Sequence, residues 1–328
     1  MSDVVERVEL APGLSVSRVL TGLWQVADLE REGAVLDPAA GAAAMRPYVE
    51  AGFTSFDMAD HYGSSEVIAG QFREGAGPES VELLTKWVPK PGRHTREDVR
   101  AAVHLALERT RSRTIDLLQF HAWSYADPGW LDCLFWLQEL EQEGLIRHLG
   151  LTNFDTAHLR MVVHSGIEVV SNQVCYSLVD QRARAGMTEL CLEHGIKLLA
   201  FGTVAGGLVT DAWLDVPEPD ADDLDSWSKM KYKRFIDAAG SWSAFQSLLQ
   251  AVQGAAERHG VSMANVACRY ILEQPAVAGV IIGARLGQSE HVQDNLRLFS
   301  FSLDEVSHAE IEAALESFGL PPGDCGDE

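Results

Sequence analysis

Residues 54–87 read TSFDMADHYGSSEVIAGQFREGAGPESVELLTKW. A short apolar run from Thr54 gives way to a helix-length amphipathic segment from Ser65, and a second run, ELLTKW from Glu82, follows a glycine- and proline-bearing turn. Strand, helix, strand in that spacing is the unit of a parallel sheet, because parallel neighbours need a crossover long enough to return the chain. The alternation extends in both directions. SRVLTGLW from Ser17 precedes it, and IDLLQFHAW from Ile115, RHLGLTNF from Arg147, VVSNQVCY from Val169, KLLAFGTV from Lys197 and AGVIIGA from Ala278 follow. Helices are predicted between them over 39–51, 65–72, 95–111, 130–144, 155–164, 183–194, 243–274 (a double helix) and 289–296. Thr95 with Asp98 reads as a capping box, and Gly144, Gly166 and Gly195 fall where a left-handed C-cap needs glycine. Eight strands each followed by a helix fit a closed (β/α)8 TIM barrel, and the lack of G-x-G-x-x-G after any strand counts against a Rossmann sheet.

A chain of 328 residues could hold two average domains, but the unbroken rhythm points to a single one over residues 1–320. Two stretches interrupt it. The acidic, proline-bearing region 211–242 after the seventh strand is too long for an ordinary loop, and PPGDCGDE, residues 321–328, reads as a disordered acidic tail. Asp plus Glu outnumber Lys plus Arg 48 to 26, a net charge of −22 that repels phosphate backbones and anionic lipid. Nucleic acid and membrane are therefore not expected as partners. No apolar run is long enough to span a bilayer, and MSDVVERVEL lacks the pattern of a secretory signal, so a cytoplasmic location is expected. The five cysteines are scattered and never spaced C-x-x-C, which predicts buried thiols, apart from Cys325 in the polar tail, and no metal site.

In a barrel, chemistry gathers at the C-terminal ends of the strands. Asp57 lies near the end of the second predicted strand, Tyr62 in the loop after it, Lys86 at the end of the third and His121 at the end of the fourth. Each alone has an ordinary structural explanation; together, on adjacent strand ends, they form an acid/base constellation. A phenol is a poor acid at neutral pH until a nearby ammonium favours the phenolate. Lys86 can supply that charge, Asp57 can hold the lysine protonated, and His121 can donate to a substrate oxygen. Such a site delivers a proton to a carbonyl oxygen, and something else must deliver a hydride to its carbon.

DMADHYG from Asp57, LLTKW around Lys86, LLQFHAW around His121, LTNF with Thr152 and Asn153, SNQVCY around Gln173, and IIGAR before SEHVQDN resemble, in order, the successive signatures of the aldo-keto reductase superfamily. The resemblance implies a barrel that binds an extended nicotinamide dinucleotide and uses Asp57, Tyr62, Lys86 and His121 as its catalytic tetrad, with Tyr62 the proton donor. It also implies that Thr152, Asn153 and Gln173 hold the nicotinamide carboxamide and that Phe201 stacks under the ring. In AFGTVAGGL, Gly202 and Val204 belong to the same arm, and Gly206 and Gly207 would let backbone amides approach the pyrophosphate. Gly283, Ala284 and Arg285 precede a helix predicted from Ser289, an anion-suited terminus, and His291, Asp294 and Asn295 match adenosine-facing positions.

The chain departs from the family pattern in places. Met58 replaces a threonine and is expected to border the substrate pocket; Thr203 replaces a proline. The 283–295 stretch runs about two residues long, and Ala284 stands where a basic residue is common. Arg285 is then the one strong cation for a 2′-phosphate, so NADP(H) is expected over NAD(H). Trp24, Trp87 and Trp123 at predicted strand ends suggest, with the resemblance, an aromatic substrate pocket suited to a hydrophobic or aromatic aldehyde or ketone. Reduction of such carbonyls to alcohols is the expected activity. The alternatives are an NAD-dependent dehydrogenase of a sugar lactol or pyridoxal-type alcohol, or a cofactor-sensing regulatory subunit.

Overall fold

The computed structural model describes residues 4–30 and 33–326. An antiparallel hairpin, β1 (Arg7–Ala11) and β2 (Leu14–Ser17), precedes eight strands: β3 (Val19–Gly22), β4 (Ser55–Asp57), β5 (Glu82–Trp87), β6 (Leu117–Phe120), β7 (Leu149–Thr152), β8 (Ser171–Cys175), β9 (Lys197–Phe201) and β10 (Val277–Gly283). These pair in parallel and in chain order, and β10 closes on β3, which makes the chain a (β/α)8 TIM barrel. The surrounding helices are α1 (Trp24–Glu30), α2 (Pro38–Glu50), α3 (Ser65–Ala76), α4 (Arg96–Arg109), α5 (Gly129–Gln142), α6 (Thr156–His164), α7 (Met187–His194), α8 (Trp227–Ala239), α9 (Trp242–His259), α10 (Met263–Leu272), α11 (Val292–Arg297) and α12 (Glu305–Phe318). No helix among the described residues is long and apolar enough to cross a membrane.

The barrel interior is layered by strand alternation. Leu20, Leu84, Leu117 and Leu199 fill one end, where Leu10, Leu14 and Val16 of the hairpin plug it. Truncating the fully buried Leu14 to alanine should cost about 2–5 kcal/mol, the usual range for such a cavity. Two residues further along β5 and β6, Lys86 and Gln119 face each other in register one layer above Leu84 and Leu117. The polar end is therefore the C-terminal end. Gly150 of β7 lies between Gln119 and Ser171, and a Cβ there would stand 2.6 Å from Ser171 Oγ and 3.3 Å from Gln119 Cγ. The missing side chain makes room for Gln119 to reach across.

Local signals explain most boundaries. Thr95 and Asp98 form a reciprocal capping box, and Gly195 takes the left-handed conformation just past α7. Several expectations need correction. The first barrel strand stops at Gly22, and Trp24 opens a helix instead of ending the strand. The region 211–242 is not a plain loop: Ser226 caps α8 through Lys229 N, and Tyr232, Lys233 and Ile236 are buried. The run VPEPDADDLD from Val216 masks that amphipathic segment in the sequence. The helix expected from Ser289 starts at Val292 and has only six residues. Residues 321–326 of the tail are ordered by contacts with the barrel, and Cys325 is fully buried; Asp327 and Glu328 lie outside the described residues.

Candidate active site

The floor of the site is a buried hydrogen-bonded network on β4, β5, β6 and β8. Lys86 Nζ donates to Asp57 Oδ2 at 2.6 Å, to Asp57 Oδ1 at 2.8 Å and to the Met58 carbonyl at 3.0 Å, so all three ammonium protons are used. Burial pushes the Lys86 pKa below the ordinary lysine range, and the Asp57 carboxylate, then Asp60, push it back up. Asp57 Oδ1 also accepts from Gln173 Nε2 at 2.7 Å and Gln119 Nε2 at 3.1 Å, while Gln173 Nε2 reaches Gln119 Oε1 at 2.9 Å. A buried ion pair persists when its remaining lone pairs are satisfied, and the two amides do this for Asp57. The Lys86 ammonium lies 5.0 Å from the Tyr62 ring centroid. Tyr62 is held by the edge of Trp24, with ring centroids 4.9 Å apart, and His121 lies 4.8 Å from the Trp123 ring.

Above the floor opens a cleft of about 320 Å³. Asp57, Tyr62, His121, Trp24, Trp123, Thr152, Asn153, Gln173, Phe201, Gly202, Val204, Gly206 and Gly283 all line it. Trp123 is 57% exposed at the rim. The roof is α8, which contributes Trp227, Ser228, Lys231, Tyr232 and Arg234. It approaches so closely that a Cβ on Gly202 would stand 2.5 Å from Tyr232 Oη, and one on Gly206 2.8 Å from the Ser228 carbonyl carbon. Lys231 Nζ sits 5.0 Å from the Phe201 ring centroid.

Several expected residues lie elsewhere. Met58 is fully buried in the core and meets the site only through its backbone carbonyl. Trp87 is likewise buried, packing on Phe120 and His94, because its strand position turns it toward the surrounding helices. Gly207, Ala284, Arg285, Ser289, His291, Asp294 and Asn295 do not line the cleft. Arg285 is exposed, with the Asp225 carboxylate in its field. Both oxygens of Asp294 are taken inside the protein, by Ser262 Oγ at 3.0 Å and Asn265 Nδ2 at 3.1 Å, which ties α11 to α10.

With this geometry in view, residues 18–316 match the model of the aldo/keto reductase family. The chain belongs to that family. Protein tas of Escherichia coli is 25% identical over 314 residues, covering 83% of this chain and 88% of its own. Human aflatoxin B1 aldehyde reductase member 2 is 29% identical over 285 residues, 80% of this chain and 78% of its own. Among solved structures, a glycerol dehydrogenase from Gluconobacter oxydans superposes with a TM-score of 0.76 at 24% identity, covering 99% of this chain and 98% of that one. This aldo/keto reductase is an oxidoreductase of a family that generally uses NAD(P)H.

The cleft wall of the reductase carries unpaired polar atoms. Thr152 Oγ1 and Asn153 Oδ1 are buried there with no hydrogen-bond partner among the described residues. Each unpaired buried group costs roughly 1–3 kcal/mol, and a ligand carrying a complementary donor and acceptor would satisfy both. Asn153 also adopts φ +56°, a strained conformation that asparagine tolerates better than most residues. Gln173 is different, since its amide nitrogen is committed to Asp57 and Gln119. Gln119 of the floor network, and Gln25, Lys231 and Arg234 of the cleft lining, were missed in the sequence. Gln119 had one available signal: a glutamine two residues before His121 on a barrel strand points inward, and a buried amide needs partners. Lys231 and Arg234 lie on α8, whose amphipathic pattern is masked by the acidic run before it.

Proposed function

We propose that this reductase converts aldehydes or ketones to alcohols with NADP(H) as the favoured cofactor, NAD(H) being the alternative. The observation that carries the reading is the fully buried Lys86 ammonium, clamped by Asp57 and set 5.0 Å from the Tyr62 ring on the floor of an aromatic cleft. Thr152 and Asn153 would hold the nicotinamide carboxamide, Phe201 would meet the ring, and Lys231 and Arg234 line the cleft from the roof. When bound, the dinucleotide supplies the hydride.

Tyr62 gives its hydroxyl proton to the substrate oxygen, acting as general acid. Lys86 stabilises the phenolate left behind, which brings a phenol toward useful acidity at neutral pH. Asp57 keeps the lysine charged against burial, and Gln119 and Gln173 keep Asp57 in place. His121 orients the substrate oxygen. Trp24 and Trp123 form aromatic walls that exclude water and favour a hydrophobic or aromatic carbonyl. The test is absorbance of NADPH and NADH against a panel of aldehydes, ketones, alcohols and sugars. Cofactor oxidation by aromatic or apolar carbonyls is expected. Turnover confined to reduction of NAD+ by an alcohol or lactol would contradict the proposed direction.

A further inference from the structure

We infer that the C-terminal segment Pro321–Gly326 is a positioning device for Asn153, so that the far end of the chain tunes the cofactor arm of the cleft. The inference rests on the reading above that Asn153 receives the nicotinamide carboxamide. A segment reading PPGDCG has no apolar pattern to order it alone. Its order comes from what it touches. Asp324 Oδ2 accepts from the Thr156 backbone N–H at 2.9 Å and Oδ1 from the Thr156 hydroxyl at 3.1 Å, capping the first turn of α6 from outside that helix. The Pro322 carbonyl accepts from Arg182 Nη1 at 3.1 Å, and that guanidinium is itself fixed by buried Asp180 at 2.8 and 2.9 Å. Cys325 is fully buried.

The decisive contact is Gly326. At φ +97° it lies so close to the turn that a Cβ would stand 2.7 Å from the Asn153 carbonyl oxygen and 3.0 Å from Asp155 N. The turn Asn153–Thr156 thus has the cleft on one side of its chain and the tail packed against its backbone. A left-handed asparagine persists only where the surroundings over-determine it, and here the tail joins the Tyr125 hydroxyl, 3.3 Å from the same Asn153 carbonyl, in doing so. The contacts described for this segment fall on Asn153, Asp155, Thr156 and Arg182, and of these four Asn153 is the one that lines the cleft, so the effect is expected on the carboxamide arm.

The experiment compares wild type, Gly326→Val, Asp324→Asn, Asn153→Ala and the double variant Gly326→Val/Asn153→Ala in the full chain. Cofactor affinity is read by fluorescence titration without substrate, and KM and kcat by turnover. Gly326→Val should weaken NADPH binding by about tenfold, the range for loss of one well-formed hydrogen bond, and raise the cofactor KM while kcat at saturating cofactor stays within about twofold. Asp324→Asn keeps the packing and should weaken binding by about threefold, which preserves the test should the valine variant not fold. In the Asn153→Ala background the valine substitution should add nothing further. Wild type that binds no cofactor would sink the functional reading itself. Wild type that binds, with both tail variants binding equally well or with the valine effect undiminished without Asn153, would overturn the positioning role.

Discussion

The floor and the roof of the cleft are built by different means. The floor places Asp57, Lys86, Gln119 and Gln173 on four strands, where barrel register and side-chain alternation bring them into one buried network. The roof is α8 pressed onto the glycine loop after β9, held by contacts that no side chain larger than hydrogen at Gly202 or Gly206 would permit. Strand-borne groups are located by a periodic rule; roof groups are located by how an inserted helix happens to pack. The floor should therefore govern chemistry and the roof should govern affinity.

Breaking the floor should have the larger consequence. Lys86→Met removes the ammonium and leaves Asp57 buried with only amide partners. kcat should fall by at least about a hundredfold, and the alkaline limb of residual activity should move to higher pH because Tyr62 loses the charge that acidifies it. The same variant should lose roughly 3–5 kcal/mol of stability, the cost of orphaning one member of a buried pair, seen as a lower melting temperature. An unchanged pH profile at near-normal rate would reduce Lys86 to a structural role.

Roof cations should act on binding. Lys231→Met should weaken NADPH and NADH together by about tenfold with little change in kcat, since Lys231 faces the part of the cleft both would share. Arg285→Ala, outside the cleft and two residues past Gly283, should instead weaken NADPH by about tenfold and spare NADH, as expected of a partner for the 2′-phosphate alone. Fluorescence titration of both cofactors separates the two. If Arg285→Ala lowers both affinities equally, the case for NADP(H) loses its specific residue.

The smallest effect is expected at Met58. Because it is fully buried and touches the site only through its carbonyl, Met58→Leu should change KM for any substrate by less than about twofold, as volume-conserving core swaps do. A large change in substrate choice would return Met58 to the pocket wall.

What was legible in the sequence follows the same division. The barrel and the strand-end places of Asp57, Lys86 and His121 follow from period and order, whereas the Thr152–Asn153 arm was reached through the family resemblance. Met58 and Trp87 were misplaced because each sits one residue beside an inward position, and alternation turns such a neighbour toward the outer packing layer. α8 carries an amphipathic pattern and a Ser226 cap that the acidic run before it obscures, whereas the docked tail is ordered by tertiary contacts that its own composition does not encode.

The central claim is that Tyr62 delivers the proton, and Tyr62→Phe tests it most directly. The substitution removes one hydroxyl and keeps the ring that Trp24 packs against. Measured by NADPH oxidation with the best carbonyl of the panel, kcat should fall by about 10²- to 10⁴-fold, while fluorescence titration shows cofactor affinity unchanged. A loss of less than about tenfold in kcat with intact cofactor binding would contradict the account.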